Sequence, residues 1–166
     1  MDATEAISSD HAASGMLEGV EAICVRLEVV MISGGCLCGK VRYQSDAEPI
    51  TARLCWCRFC QYIAAGNAAV SVCFPAYSMT ITGDMRDYES VAESGHRMHR
   101  RFCPNCGVHL FSEAESRRHL IFVRAGTLDD PGIVQPAATI WTAKAPAWAC
   151  IDASLPSFEG QPPPVA

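Results

Sequence analysis

Cys36-Leu37-Cys38-Gly39, Cys55-Trp56-Cys57-Arg58-Phe59-Cys60 and Cys103-Pro104-Asn105-Cys106-Gly107 hold seven of the chain's ten cysteines. Spacings of one or two residues let a tight turn aim two thiolates at one ion, and zinc favours four donors in a tetrahedron with sulfur at about 2.3 Å. A glycine directly after the second cysteine, at Gly39 and Gly107, permits the positive φ that closes such a knuckle. Counting donors then divides the set. Cys36, Cys38, Cys103 and Cys106 make one closed structural site that staples the start of the domain to its middle. Cys55, Cys57 and Cys60 supply three donors and leave a fourth position open, the formula of a catalytic zinc. Two zinc ions per chain are expected. If a histidine or a further cysteine completes the triplet, both ions are structural.

The rest of the chain suits such a protein. With 166 residues, 49% of them hydrophobic and 19% charged, it is long enough for one domain with its own core. A formal charge of −5 lacks the broad basic field of a nucleic-acid binder. Basic residues are dense only at His96–Arg101 and Arg117–His119, which read as solvated strand ends. The apolar stretch from Met16 to Ile32 is interrupted by Glu18, Glu21, Arg26 and Glu28, which excludes a membrane span there. The start, MDATEAISSD, carries acid where a signal peptide carries base. A cytoplasmic protein is expected, and in a reducing compartment its cysteines point to metal or catalysis rather than to disulfides.

Residues 1–31 read as an N-terminal extension ending in an amphipathic, helical stretch, MLEGVEAICVRLEVV. A zinc domain over 32–158 follows, and 159–166 (EGQPPPVA) reads as a flexible Pro-rich tail. Within the domain, short β-type runs recur between turn residues: Val41–Tyr43, Ala69–Phe74, Met79–Thr82, Arg86–Val91, Arg97–Phe102, Val108–Phe111, His119–Val123 and Ala138–Trp141. Only Arg58–Ala65 looks helical there. Strands every ten residues or so predict a mainly β fold, a sandwich or tent with few short helices rather than alternating β-α units. His96 and His99 stand three apart on a predicted strand and so face opposite sides, which disfavours joint chelation. His109 follows the third knuckle and is expected near a metal or on the surface. Cys24, Cys73 and Cys150 stand alone among apolar neighbours and read as small buried hydrophobes.

Five pieces resemble the glutathione-dependent formaldehyde-activating enzyme family, which also includes centromere protein V. They are SGGCLCGKVRY (Ser33–Tyr43), CWCRFCQ (Cys55–Gln61), RRFCPNCGVHLF (Arg100–Phe111), AGTLDDP (Ala125–Pro131) and IWTAKAPAW (Ile140–Trp148). The resemblance covers about Ile32 to Phe158. It implies a tent-like fold of antiparallel sheets stapled by zinc, similar to methionine-sulfoxide reductase B. It also implies a structural zinc on Cys36, Cys38, Cys103 and Cys106, and a catalytic zinc on Cys55, Cys57 and Cys60. One residue departs from the family pattern: Trp56 stands where a histidine is common.

The expected activity is that of a carbon–sulfur lyase. A small-molecule thiol, glutathione or similar, enters the open position, where a metal lowers its pKa, and adds to a small aldehyde such as formaldehyde. Glutathione carries two carboxylates, so arginines near the triplet are candidate contacts. Arg53 and Arg58 flank it and Arg100 and Arg101 lead into the third knuckle; Arg58 is the residue chosen. The alternative is a non-catalytic zinc-stabilised binding module. Methionine-sulfoxide reduction is disfavoured, because one pair is C-x-C rather than C-x-x-C.

Overall fold

The computed structural model describes residues 31–163; the expected N-terminal helix and Cys24 lie outside them. In chain order the elements are β1 (Ile32–Gly35), β2 (Arg42–Ser45), β3 (Thr51–Cys55), α1 (Arg58–Ile63), β4 (Ala69–Pro75), β5 (Met79–Thr82), β6 (Arg86–Val91), β7 (Arg97–Phe102), β8 (His109–Ala114), β9 (Leu120–Arg124), β10 (Ala138–Ile140) and β11 (Ser157–Phe158). They form two sheets: β1-β2-β5, and an eight-stranded sheet ordered β11-β10-β3-β4-β9-β8-β7-β6. The mainly β architecture expected from the sequence is present. Among the described residues, no helix is long and apolar enough to cross a membrane.

Alternation along the strands gives the large sheet two unlike faces. Ala52, Val72, Phe74, Phe111, Ile121 and Val123 lie on one face and pack with Ile32 and Tyr43 of the small sheet, and with Val41 just before β2, as a single core. Tyr43 meets Phe111 edge to face, with ring centroids 5.1 Å apart. Each such side chain stabilises by about 1.5–3 kcal/mol on burial. The in-between residues, Thr51, Arg53, Ser71, Phe122, Arg124, Ser112 and Arg100, line a cleft on the other face. A strand face with so many polar groups could not close a core. It is left to form a site.

Three features differ from the sequence reading. Pairing is antiparallel through most of the large sheet, but β10 runs parallel to both β3 and β11. A long excursion after β9, through 3-10 turns at Ala125–Thr127 and Pro131–Ile133, returns the chain in the direction that parallel pairing requires. The Pro-rich run also begins as bound chain: Trp141 N and Ala143 N donate to the Gly160 and Glu159 carbonyls. Trp141 Nε1 donates to Gln161 Oε1 at 3.3 Å. The expected helix at Arg58–Ala65 ends at Ile63, because Ala65 and Gly66 both take positive φ.

The AGTLDDP stretch clasps the sheets together. Tyr43 Oη and Thr127 Oγ1 are 2.8 Å apart in the interior. The Asp129 carboxylate accepts from Ser33 Oγ at 2.6 Å and from both Arg42 guanidinium nitrogens at 2.9 and 2.5 Å. The forked Arg42 contact fixes direction as well as charge.

Candidate metal centres and the arginine cleft

The Cys36/Cys38 knuckle lies in the β1–β2 turn and the Cys103/Cys106 knuckle in the β7–β8 turn, so their meeting joins the two sheets. The Cys36, Cys38, Cys103 and Cys106 sulfurs lie within 4.8 Å of one another, with Cys36–Cys38 at 3.5 Å and Cys38–Cys103 at 3.7 Å. Tetrahedral zinc with sulfur at about 2.3 Å places its donors about 3.8 Å apart, so this set fits the ion. Gly39 and Gly107 take φ of 74° and 73° and donate back to the Cys36 and Cys103 carbonyls. The Lys40 N–H draws the Cys38 thiol down to about 6, and the Val108 N–H lowers Cys106 in the same way. Both N–H donors stand two residues after the cysteine they serve, so the two knuckles repeat one local design.

Cys55 ends β3, Cys57 lies in the turn and Cys60 is in α1; their sulfurs also lie within 4.8 Å of one another. Among the described residues no fourth Cys, His, Asp or Glu donor joins that group. Hydrogen bonding from the Cys55 and Cys60 thiols holds Cys57 well below the usual thiol range, against its burial, and Arg100 adds to this. Cys55 is pushed up as the proton-bearing partner of Cys57. Three thiols this close together, two of them buried and one half-buried, form a donor set that suits a metal cation.

Trp56 faces away from this chemistry. It is 2% exposed and meets Trp148 edge to face at 6.3 Å, so the departure from the family pattern changes packing behind the site. Gln61 locks the turn: its Nε2 donates to the Trp56 carbonyl at 2.6 Å and to the Lys144 carbonyl at 2.9 Å.

The triplet opens into a cleft of about 140 Å³ lined by Arg53, Arg100, Arg117 and Arg124. Apolar walls come from Phe59, Phe122 and Ile140. The cross-strand row Arg53–Ser71–Arg124 follows from the β3–β4–β9 register. Arg124 donates to Ser71 and Ser112 Oγ, and its Nε is buried without a partner. Arg100 donates to Ser90 Oγ and its guanidinium carbon stacks 3.9 Å over the Phe59 ring. Burial and the neighbouring Arg124 push Arg100 down from the ordinary guanidinium range. Glu93, the acid of the cleft, caps α1 through Arg58 N at 2.9 Å and lies 3.6 Å from Lys144 Nζ. Trp141, also at the rim, takes a left-handed φ of 60°, a conformation bulky residues adopt only under constraint.

The sequence-chosen Arg58 is not in this cleft. Its guanidinium lies 5.2 Å over the exposed Tyr62 ring and bonds Gln61 Oε1, because α1 turns residue 58 to the outside. Arg101 pairs with Glu113 at 3.0 Å. Arg53 and Arg100, named only as neighbours of the motifs, do line the cleft, while Arg117 and Arg124 were missed. A signal existed for Arg124: it ends the buried run LIFV with a charge. His96 and His99 bind separate partners, Ser116 and Asp87, and do not meet. His109 lies between the Phe59 and Phe102 rings, and burial lowers its pKa. Cys73 is buried as expected, but Cys150 is exposed, because its turn lies beyond the last covered strand.

The family model described as glutathione-dependent formaldehyde-activating enzyme matches residues 31–144. In structure the chain is similar to a Rhodobacter sphaeroides protein, a structural-genomics target, at TM-score 0.50 and 19% identity. That likeness covers 76% of this chain and 98% of that one. No curated protein matches. The profile match spans both knuckles, the triplet and the AGTLDDP clasp, the elements that build the two sulfur clusters. On that ground the chain belongs to the glutathione-dependent formaldehyde-activating enzyme family.

Proposed function

We propose that the chain is a zinc-dependent carbon–sulfur lyase: Cys36, Cys38, Cys103 and Cys106 hold a structural zinc, and Cys55, Cys57 and Cys60 hold the catalytic one. A thiol such as glutathione adds to, or is released from, a small carbonyl such as formaldehyde. One observation carries this reading: three sulfurs, with no fourth protein donor among the described residues, open into a cleft of guanidinium groups. Zinc, when bound there, lowers the pKa of an entering thiol toward the thiolate, the nucleophilic form.

The chain's own groups do the rest. Arg100 and Arg124 set a positive field at the sulfurs that favours thiolate over thiol. Their serine partners and the Phe59 ring hold both guanidiniums in place beforehand. Phe59, Phe122 and Ile140 keep water off the reacting pair. A bond forms between the thiolate sulfur and the carbonyl carbon, and the thiol proton ends on the carbonyl oxygen. Release runs the same step backward.

To test this, glutathione and formaldehyde are mixed with the zinc-loaded protein and adduct exchange is followed by NMR. Faster exchange than in buffer is expected, with Cys57→Ser losing both the acceleration and one zinc. Equal rates with both zincs bound would refute the lyase reading.

A further inference from the structure

Several contacts converge on one unfavourable backbone conformation. Trp141 takes φ 60° and ψ 36°, a left-handed geometry that crowds any Cβ and that glycine adopts freely. Three hydrogen bonds hold it there. Its N–H donates to the Gly160 carbonyl, its own carbonyl accepts from Lys144 N, and its indole Nε1 donates to Gln161 Oε1. Thr142 Oγ1 and Ala143 N bind the same strap at the Phe158 and Glu159 carbonyls, and Pro162 is buried. The run that reads from sequence as a free tail is thus the main anchor of Trp141.

That conformation sets the ring beside the sulfurs. Ile140, the preceding residue, pairs with Cys55 across β10 and β3, and Trp141 packs against the cluster of Cys55, Cys60, Ala69 and Ile140. Its side chain is the largest that lines the cleft. Glycine would give the same backbone without strain, so the strap secures the ring itself.

Volume indicates what the ring limits. A cavity of about 150 Å³ takes one molecule of benzene size, and this cleft holds about 140 Å³. The cysteinyl unit of a thiol, with its sulfur at the triplet, is of that size. Little space then remains between sulfur and indole for the second reactant.

Resting on the lyase reading, we propose that Trp141 is the specificity-determining residue of this site: its indole forms the wall beside the triplet's open position and restricts the carbonyl substrate to the size of formaldehyde or acetaldehyde. Gln161 is the positioning residue that fixes the ring.

The test uses the zinc-loaded full chain. Adduct exchange with glutathione is followed by NMR for formaldehyde, acetaldehyde and isobutyraldehyde, each rate divided by its rate in buffer. Acceleration should fall about tenfold or more from acetaldehyde to isobutyraldehyde, the usual effect of excess methyl groups in a fitted pocket. Trp141→Gly should remove most of that difference, and Gln161→Leu part of it with both zincs still bound. Fluorescence gives a readout independent of turnover. Glutathione should change tryptophan emission in the wild type and far less in Trp141→Phe, where buried Trp56 and exposed Trp148 remain. An unchanged size preference in Trp141→Gly, with both zincs bound, overturns the proposal and leaves the lyase reading intact. So does equal acceleration of all three aldehydes by the wild type, or an emission change that survives in Trp141→Phe. Should Trp141→Gly fail to fold, a wild-type preference in both Trp141→Phe and Gln161→Leu overturns it instead. If the wild type accelerates no carbonyl, the lyase reading fails and this inference with it.

Discussion

Severing the closed cluster should cost far more stability than opening the triplet. Cys38 and Cys103 stand 65 residues apart in sequence, so a metal between the knuckles cross-links a long loop. The loop-closure relation used for covalent cross-links gives about 4 kcal/mol of lost chain entropy for that length, and about 2 kcal/mol for the short span of Cys55 to Cys60. Domains of this size have about 5–15 kcal/mol in total. Packing contributes little to the difference: Cys38 is exposed, and serine at Cys36 still accepts the Val41 N–H that now donates to Sγ at 3.3 Å. Urea unfolding, read by tryptophan fluorescence with zinc content measured in parallel, compares Cys36→Ser/Cys38→Ser with Cys55→Ser/Cys57→Ser. The first pair should lose about 4 kcal/mol and one zinc, and the second about half as much. A first pair within about 1 kcal/mol of wild type, or a second pair costing more, would refute the stapling argument.

Other substitutions probe single contacts. Gln61→Leu strips two carbonyls, of Trp56 and Lys144, of their shared donor and should cost on the order of 3 kcal/mol in the same unfolding assay. Asp129 is held down to about 2, chiefly by Arg42 and then Ser33. Its contribution is full above the unfolded carboxylate value of about 3.9 and fades as pH falls from there toward 2. At 46% side-chain exposure it stays below about 1 kcal/mol, and Asp129→Asn should remove that part of the acid dependence. His99 is raised, first by its hydrogen bond to Asp87. Its stabilisation is therefore full below the unfolded value of about 6.5 and is lost as pH rises through the higher folded value. An NMR titration should show its midpoint falling in Asp87→Asn.

The strands were legible because alternation and turn residues mark them locally. Eight predicted runs coincide with observed strands to within a residue or a few at their ends. β1, β3 and β11 were not read. β1 is half glycine and β11 is two residues long, whereas β3 does carry a strand-like alternation of Thr51, Arg53 and Cys55 with Ala52 and Leu54 that was legible. The parallel placing of β10 depends on where a long connection returns, which no local pattern encodes.

By itself the sequence determined which sulfurs meet. Ligand spacing and the following glycines are short-range properties, and the expected groups of four and three are the ones found. Tertiary structure alone decided what surrounds the open three. Arg53, Arg100 and Arg124 come from three different strands that the cross-strand register brings onto one face, and Arg117 joins them from the 3-10 turn after β8. Arg58, adjacent to the triplet in sequence, was turned outside by a single helical turn. Nearness along the chain fixes a knuckle, whereas the arginine cleft is made by strands far apart in sequence.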